Sequence, residues 1–542
     1  MKLRLAGPFV MALVILGLGS IALQSAGKKP KPEIHFQTSD RCMACHNSLT
    51  TPSGEDISFG MNWRATMMAN SARDPYWQAG VRRETLDHPE ASKAIQDECA
   101  ICHMPMARYQ AHSEGRSAEV FSHLPFDMDK PEDRLAADGV SCSLCHQITP
   151  EKLGTRESLV GGFVIDTSKP LGQRNEYGPY KIDTGHQQIM RSSSSGYQPT
   201  EGEHIRKSEL CATCHTLITK PLGPKGEELG STFPEQMPYQ EWLHSDFKET
   251  KSCQACHMPV VTEPTPVTRV LGEPREGVSR HVFVGGNFFI QRILNRYRAE
   301  LKVEALPQEL ETAAERTVRH LQNETARLSL SGLDLRASRL EADIDVENLG
   351  GHKLPTAYPS RRVWLHVKLK DRSGNTVFES GALQPDGSIR GNVNDADPLR
   401  YEPHYLRVTE PDQVQIYEGI MFNQAGSPTT GLLNALRYGK DNRLLPKGFD
   451  KRTADNEISV QGDALADSDF LGGGDRVHFS MATGNSQGPY TVEAELWYQP
   501  ISYRWANNLK QYDAFEPKRF VGYYEAMSAG SGTMLAHSTA SR

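Results

Sequence analysis

Residues 142–146 read Cys-Ser-Leu-Cys-His, and this short pattern decides how the whole chain is organised. The pattern Cys-x-x-Cys-His occurs five times in the 542 residues. The five copies begin at Cys42, Cys99, Cys142, Cys211 and Cys253. They contain all 10 cysteines of the chain, so every cysteine belongs to a pair that is followed directly by a histidine.

This spacing predicts covalent attachment of c-type haem. Two thiols about one helical turn apart can each form a thioether with one porphyrin vinyl group, and the adjacent histidine then lies beneath the iron as its proximal ligand. The predicted attachment residues are Cys42, Cys45, Cys99, Cys102, Cys142, Cys145, Cys211, Cys214, Cys253 and Cys256. The predicted proximal ligands are His46, His103, His146, His215 and His257. We therefore expect five covalently bound haem c groups.

Other uses of a Cys-x-x-Cys pair leave the histidines unexplained. Half a zinc site, a dithiol redox centre and a disulfide all use paired cysteines, but none needs a histidine directly after the second cysteine. Histidine is 19 of 542 residues. Five chance occurrences after five pairs therefore have a probability on the order of 10⁻⁷ or less, which favours haem attachment.

The N-terminus predicts export. Lys2 and Arg4 precede an apolar stretch over residues 9–18, and small residues follow at the cleavage-type positions Ala22 and Ala26. This layout is typical of a signal peptide over residues 1–26. The alternative is an uncleaved membrane anchor, because residues 5–27 are long enough to span a bilayer. In both cases we expect the rest of the chain in the periplasm, at the cell surface or outside the cell.

The composition excludes several classes of protein. Charged residues make up 23% of the chain and hydrophobic residues 38%, which argues against a polytopic membrane protein and against a wholly disordered chain. The formal net charge of −7 disfavours a nucleic-acid partner, since proteins that bind nucleic acids are usually basic.

Four stretches over residues 33–290 resemble a known family. They are residues 139–146 (GVSCSLCH), 204–215 (HIRKSELCATCH), 252–259 (SCQACHMP) and 281–287 (HVFVGGN). The chain resembles bacterial multihaem c-type cytochromes of the cytochrome c-554-like kind. The resemblance implies electron transfer through closely stacked haems, many of them with two histidine ligands.

The ligand on the distal face of each iron determines what the haem can do. A second histidine or a methionine there gives an electron-transfer centre, and an open face allows substrate chemistry. The candidate distal histidines, in descending order, are His281, His186, His204 and His352, followed by His123 and His244. Each of them could instead donate a hydrogen bond or contact a haem propionate.

The first haem departs from the family pattern. Related chains often carry a histidine soon after the first motif, where this chain has Met67 and Met68. Ligation by one of them would raise the potential of that haem relative to two histidines. The alternative is core packing, the commoner use of methionine. Met104 and Met258 follow proximal histidines directly, and we expect them to pack on a porphyrin edge.

The C-terminal part lacks the motif and shows strand patterns. Residues 306–320 predict a helix within a linker over residues 300–326. Residues 362–371 and 492–498 alternate apolar and polar side chains, which is typical of half-buried strands. Residues 376–378, 413–422 and 476–481 are further strand candidates. Short strands between Gly, Pro and Asp turns indicate a β-sandwich-like domain over residues 327–540.

Two loops of this part are functional candidates. Residues 348–356 resemble a segment that recurs beside such haem domains, and His352 within it could reach back to a haem iron or lie in an ordinary turn. The second loop carries Asp463, Asp467, Asp469 and Asp475 around three glycines. Such carboxylates could hold Ca²⁺, although the spacing matches no EF-hand and a solvated acidic turn is the alternative.

These observations predict a multidomain protein. A mostly α-helical and loop-rich pentahaem cytochrome domain over residues 33–295 is followed by the linker and the β-sandwich-like domain. The predicted function is electron transfer between redox partner proteins, a donor and an acceptor. The β domain would serve docking or assembly in a complex or oligomer, and the N-terminus could anchor the chain to a membrane.

Two other functions stay open. One is a multihaem reductase or oxidase of a small nitrogen or sulfur compound at one open haem iron. Pentahaem nitrite reductases typically show a Cys-x-x-Cys-Lys site, whereas all five motifs here end in histidine. The other is a structural haem-wire subunit of a larger complex. The chain shows no P-loop, no His-Glu-x-x-His and no Gly-x-Ser-x-Gly pattern, so nothing points to an enzyme without haem.

Overall fold

The computed structural model describes residues 33–194 and 196–542, and residues Ile34–Arg542 belong to one unit. The predicted signal peptide over residues 1–26 lies outside the described residues. Within those ranges, no helix is both long enough and apolar enough to cross a bilayer.

The N-terminal half consists of short helices and loops with three small sheets. Its helices are α1 (Asp40–Met43), α2 (Phe59–Arg64), α3 (Pro75–Asp87), α4 (Ser92–His103), α5 (Pro105–Ser113), α6 (Pro131–Ala137), α7 (Cys142–Cys145), α8 (Thr184–Ser193), α9 (Ser208–Ala212), α10 (Pro238–Leu243), α11 (Cys253–His257) and α12 (Phe288–Arg296). Its strands are β1 (Asn175–Gly178), β2 (Gln198–Glu201), β3 (Leu217–Thr219), β4 (Phe233–Gln236), β5 (Thr265–Pro266) and β6 (Pro274–Arg275). The pairs are β1–β2, which is parallel, and the antiparallel β3–β4 and β5–β6.

Each Cys-x-x-Cys-His motif lies on or beside a helical turn. The motifs coincide, in chain order, with α1, the end of α4, α7, α9 and α11. Because residues three apart share one face of a helix, the two thiols of a motif lie on the same side. The Ser252 side chain caps α11 by accepting a hydrogen bond from the amide of Ala255 at 3.3 Å. Local helix formation therefore pre-arranges each cysteine pair.

A long amphipathic helix, α13 (Pro307–Glu324), follows the last motif. It agrees with the helix predicted over residues 306–320. Its buried side chains recur at helical spacing and are Leu310, Ala313, Ala314, Thr317 and Leu321. Near its first turn, Glu309 forms two hydrogen bonds with the guanidinium of Arg64, at 2.7 and 2.5 Å, which tie α13 to α2.

The C-terminal half is rich in strands, as the sequence predicts. Its strands are β7 (Ala326–Arg336), β8 (Arg339–Asn348), β9 (Arg362–Lys370), β10 (Thr376–Ser380), β11 (Arg407–Val408), β12 (Ile416–Phe422), β13 (Pro428–Thr429), β14 (Arg437–Asp441), β15 (Gly474–Ala482), β16 (Thr491–Gln499) and β17 (Thr533–Ser541). Its helices are α14 (Val393–Ala396), α15 (Tyr503–Asn507) and α16 (Phe515–Met527). The seven-stranded sheet runs β13-β12-β9-β16-β17, with β10 on β9 and β14 on β12. The four-stranded sheet runs β11-β15-β8-β7.

Both sheets contribute to one hydrophobic cluster, as expected where two sheets pack together. Leu365 of β9 and Leu496 of β16 are fully buried in it, together with Ile344 of β8 and Phe479 of β15. The same cluster includes residues of the helical half, among them Phe288 of α12. The haem-motif half and the sheet half therefore share a core.

Strand β9 differs from its predicted pattern. Its alternation predicts one exposed face, but Trp364 is 0% exposed and His366 is 9% exposed. The second face is covered by a further cluster, in which Trp364 packs with Ile389 and Ile416. The strand is therefore buried on both faces, because long connections fold over the sheet.

Candidate haem-attachment sites

All five motifs line one cavity. It has a volume of about 1430 Å³ and reaches every motif cysteine and every motif histidine. A pocket for one small ligand usually measures about 300–1,000 Å³. A single larger cavity that joins five cysteine pairs is an arrangement for several neighbouring groups rather than for one substrate.

The ten cysteines are unpaired and lie close to those of neighbouring motifs. None forms a disulfide, and each is partly buried. A hydrogen bond between the Cys42 and Cys142 thiols, together with burial, raises the pKa of Cys42 well above its ordinary value. Contact with the Cys253 thiol likewise raises the pKa of Cys211, and the Cys102 thiol donates to the backbone carbonyl of Cys214 at 3.7 Å. Motif one therefore lies beside motif three, and motif four lies beside motifs two and five.

Backbone carbonyls fix the rings of four motif histidines. Nδ1 of His46 lies 2.6 Å from the carbonyl of Val267, and Nδ1 of His146 lies 2.6 Å from that of Tyr177. The corresponding distances are 2.9 Å for His103 with Ser71 and 2.5 Å for His257 with Val284. When Nδ1–H donates to a carbonyl, Nε2 carries the lone pair that a metal ion needs. The four rings are thus oriented as ligands.

Burial keeps these rings neutral. It lowers the pKa of His103 and the pKa of His257 to about 4. Burial also lowers the pKa of His215, with a further contribution from the nearby charge of Arg361. A neutral imidazole is the form that binds a metal ion, so no proton competes for Nε2 at neutral pH.

Two of the predicted distal histidines face motif histidines. The ring centres of His281 and His146 are 6.4 Å apart with an interplanar angle of 17°. His352 and His257 are 6.2 Å apart at 11°. A histidine nitrogen binds a metal ion at about 2 Å, so two rings on either side of one ion have centres on the order of 6 Å apart. Both pairs fit that separation.

The outer nitrogens of these two rings are also engaged. Nδ1 of His281 lies 3.1 Å from the carbonyl of Ser279, and Nδ1 of His352 lies 3.0 Å from the carbonyl of Lys353. Each bond leaves Nε2 for the space between the rings. The structure therefore brings His281 to motif three and His352 to motif five.

The other candidate histidines have different surroundings. His186 lines the cavity, but its Nδ1 contacts Asp183 and its Nε2 lies 2.8 Å from the carbonyl of Leu271. Nε2 of His204 lies 2.9 Å from the carbonyl of Ile148. His123 contacts Asp133 at 2.7 Å, and Nδ1 of His244 lies 2.8 Å from the carbonyl of Gln240. All four rings have partners within the protein.

The methionines fall into two groups. Met67, Met68 and Met258 line the cavity. Met104 is 1% exposed in a hydrophobic cluster with Val120 and Phe126, and it is not among the residues that line the cavity. The expectation that Met104 packs on a porphyrin edge is therefore wrong, because Met104 lies in the link between α4 and α5 and its side chain packs in the core between helices.

Three cavity residues were missed by sequence reasoning. The ring of His320 on α13 lies 6.3 Å from that of His257, at an angle of 54°. The ring of Trp77 stacks parallel to the ring of His103, with the two ring centres 4.4 Å apart. Arg361 lines the cavity, and its Nη1 donates to the carbonyl of Thr356 at 3.1 Å. Helical periodicity could have placed His320 on a buried face of α13, but no pattern places Arg361.

The acidic loop brings together two of its four aspartates. Asp467 and Asp475 are buried beside His404, whose Nε2 lies 2.9 Å from Asp467, whereas Asp463 and Asp469 are exposed. Nδ1 of His404 accepts hydrogen bonds from the Gln415 and Asn442 side chains, so Nε2 carries the proton. The four aspartates that could hold Ca²⁺ do not come together. The two buried ones lie beside the protonated Nε2 of His404, which cannot bind a cation.

The fold is similar to that of a solved multihaem protein. No family model and no curated protein matches the chain. A crystal structure of a penta-haem cytochrome c552 from Thermochromatium tepidum is 14% identical, with a TM-score of 0.53. The match covers 94% of this chain and 100% of that chain, so the similarity in fold includes both halves.

These residues fit haem c. The cysteine pairs are unpaired and face one cavity, and four of the motif histidines present Nε2 with Nδ1 anchored. A zinc site needs four ligands at one point, whereas among the described residues no three cysteine or histidine ligand atoms of the motifs come together within 4.8 Å.

Proposed function

We propose that the protein is a multihaem c-type cytochrome that transfers electrons between redox partner proteins. The observation that carries this proposal is the single cavity lined by all five Cys-x-x-Cys-His motifs. Haem iron supplies reversible one-electron chemistry between Fe(III) and Fe(II) when bound. The similarity in fold to a penta-haem cytochrome c552 supports the proposal.

Each motif has a defined part in this function. The ten cysteines hold five haem c groups, and the five motif histidines are the proximal ligands. We assign His281 as the second ligand at motif three and His352 as the second ligand at motif five. Carbonyl contacts such as that of Val267 with His46 orient the ligand rings.

The first motif keeps methionine as its candidate ligand. Met67 and Met68 both line the cavity. A thioether ligand raises the potential of a haem relative to a second histidine. We propose that one of these methionines gives the haem of motif one a higher potential than those of motifs three and five.

Export follows from the attachment chemistry and from the N-terminal residues. The basic and apolar residues 1–26 support a signal peptide, and residues 5–27 are long enough for an anchor instead. We propose that the mature chain acts in the periplasm or at the cell surface. Its partners are a redox donor and a redox acceptor, with the sheet-rich half available for assembly into a complex.

Haem counting together with low-temperature electron paramagnetic resonance tests the proposal. We expect five covalent haems per purified chain by pyridine haemochrome, with the oxidised irons predominantly low-spin. A potentiometric titration should then resolve more than one potential. Fewer than five haems, or haem that acid acetone extracts, would contradict covalent attachment at every motif.

A second candidate function is reduction or oxidation of a small anion at one open iron. Among the described residues, no second histidine ring faces His46, His103 or His215. Of these three, His215 has the charge of Arg361 nearby, and Arg361 and Tyr358 both line the shared cavity. A guanidinium is a strong partner for oxyanions. A high-spin signal from about one haem in five that changes on adding nitrite, hydroxylamine or sulfite would favour this function over electron transfer alone.

A further inference from the structure

The loop that carries His352 is attached to the haem-motif half through one buried carboxylate. Glu241 of α10 is 0% exposed. Its Oε2 accepts a hydrogen bond from the backbone amide of Lys353 at 3.1 Å and another from the Thr356 hydroxyl at 2.5 Å. Both donors belong to the loop and follow His352 closely in the chain, so the carboxylate fixes the path of the loop backbone.

The same carboxylate belongs to a buried cluster of four charges. Oε1 of Glu241 lies 3.1 Å from Nη1 of Arg443. Arg443 donates two hydrogen bonds to Asp441, both at 2.8 Å, and Nζ of Lys353 lies 2.7 Å from Asp441. Two cations and two anions balance, and none of the four side chains is more than 8% exposed. Buried charges of this kind hold one geometry, because any departure leaves a charge without its partner.

The other side of the loop is held by Asn348 at the end of β8. Its side-chain amide donates to the carbonyl of His352 at 2.9 Å and to the carbonyl of Leu444 at 3.0 Å. Leu354 and Leu444 exchange two backbone hydrogen bonds of 2.9 Å. A side chain at Gly351 would lie 3.2 Å from the ring of Trp242, so α10 packs directly on the loop backbone. The loop has little freedom on either side.

We infer that Glu241 is a positioning residue that holds His352 opposite His257. The inference rests on the proposed function, because it takes His352 as the second ligand at motif five. Glu241 itself does not touch the reacting group. It acts through the backbone of Lys353 and the hydroxyl of Thr356, and Arg443 and Asp441 keep its carboxylate in place.

Spin state in the full-length holoprotein tests the inference. In Glu241→Gln, an NH₂ group replaces one of the two carboxylate oxygens. This new donor faces either Arg443 or the donors of the loop. We expect five covalent haems and a rise in the high-spin fraction toward one in five, measured by electron paramagnetic resonance, with carbon monoxide binding to the reduced protein. Thr356→Val should show a smaller rise of the same kind. It removes one donor to Glu241 and leaves the four buried charges in balance, so it tests the inference even if Glu241→Gln does not fold.

Two reference variants separate the inference from the proposed function. His352→Ala should place one haem in five in the high-spin state, and added imidazole should restore the low-spin signal. Glu341→Gln breaks the exposed pair with Arg407, at 2.7 Å, and should change nothing. An unchanged His352→Ala spectrum would overturn the ligand assignment. A changed His352→Ala spectrum with wild-type spectra for both Glu241→Gln and Thr356→Val would overturn the positioning role alone.

Discussion

At the scale of single residues, the partner of one ring nitrogen decides what a histidine can do with the other. His146 and His186 both line the cavity. The ring of His146 has only its Nδ1 bonded to the protein, to the carbonyl of Tyr177. The ring of His186 contacts Asp183 and Leu271 through both nitrogens. The first ring is available to a metal ion and the second is occupied.

This difference gives a matched pair of variants. In His281→Ala, the ring that faces His146 at 6.4 Å is removed, so we expect one haem in five to become high-spin. His186→Ala is the control and should leave the spin state unchanged. Electron paramagnetic resonance integrated against the haem count makes the measurement. A wild-type spectrum for His281→Ala would show that His281 is not a ligand.

The buried Asp475 predicts a pH dependence of stability. Burial raises the pKa of Asp475 to about 7, opposed by the hydrogen bond from Tyr417 and reinforced by Asp467. The folded protein therefore holds this proton more tightly than the unfolded chain, whose aspartates titrate near about 3.9. The contribution of this proton to the free energy of unfolding is complete below about pH 3.9 and is lost as the pH rises through 7. The loss is about 1.4 kcal/mol per pH unit between the unfolded and the folded pKa and ends above about pH 7.

The variant Asp475→Asn should remove this slope. An amide oxygen still accepts from Tyr417, and no charge has to be buried at high pH. We expect the melting temperature of the variant to exceed that of the wild type at pH 8 and to approach it at pH 5. Asp469→Asn in the same loop is the exposed control. A wild-type difference between pH 5 and pH 8 that persists in Asp475→Asn would assign the effect to other groups.

The local pattern could predict the motif residues but not all of their partners. Cys-x-x-Cys-His names both attachment points and the proximal ligand within five positions. On the proposed assignment, the second ligand of a haem comes from far along the chain, as His352 does for motif five, so no local spacing marks it. His281 and His352 were found through resemblance to a family, whereas His320 carried no such signal.

At the scale of elements, turn residues and hydrophobic periodicity predicted where strands begin and end, but they predicted less well which faces of those strands are buried. The strand pattern predicted β9 and β16 to within a residue or two of their ends. The pattern did not predict the exposure of β9 correctly. A polar residue at every second position predicts a solvent-exposed face only because polar side chains are usually exposed. His366 of β9 is satisfied in a buried position by Glu379 and Glu495, at 3.0 and 2.9 Å.

Trp364 tests the burial of both faces of β9. Its side chain is 0% exposed and its Nε1 donates to the carbonyl of Gly381 at 2.9 Å. Trp364→Ala should lower the free energy of unfolding by about 3–5 kcal/mol. Lys368→Ala on the same strand should change it by less than about 0.5 kcal/mol. Urea unfolding followed by circular dichroism compares the two, and similar small losses would indicate that the second face is open to solvent.

At the scale of the whole molecule, the sequence suggested separate domains, and the structure shows one cluster that joins helices and sheets. Phe288 precedes the sheet-rich half in the chain and packs in the same core as Leu365 and Leu496. Composition and periodicity describe segments one at a time, so they carry no information on which segments share a core. The fold similarity covers 94% of the chain and so includes both halves.

The shared cavity predicts that each haem contributes to the stability of the whole. Protein interiors are close-packed, and a cavity that is left unfilled is destabilising. Replacing both Cys253 and Cys256 by alanine should give a chain with four haems and a lower melting temperature. The double replacement at Cys42 and Cys45 is the matched comparison and should also give four. Five haems in either variant would contradict attachment at that motif.

On the proposed export and ligand assignment, the separation of His257 from His352 along the chain also predicts an order of maturation. Helix α13 and strands β7 and β8 lie between them, and Asp441 of the charge cluster lies further still along the chain. A chain that is exported from its N-terminus presents the fifth cysteine pair before the residues that hold His352 have emerged. On the proposed assignment, covalent attachment comes first and the second ligand arrives with the closing of the C-terminal sheets. A chain truncated before β14 keeps all five motifs and His352 but lacks Asp441 and Arg443, so on this assignment we expect it to attach its haems without the charge cluster that holds the His352 loop.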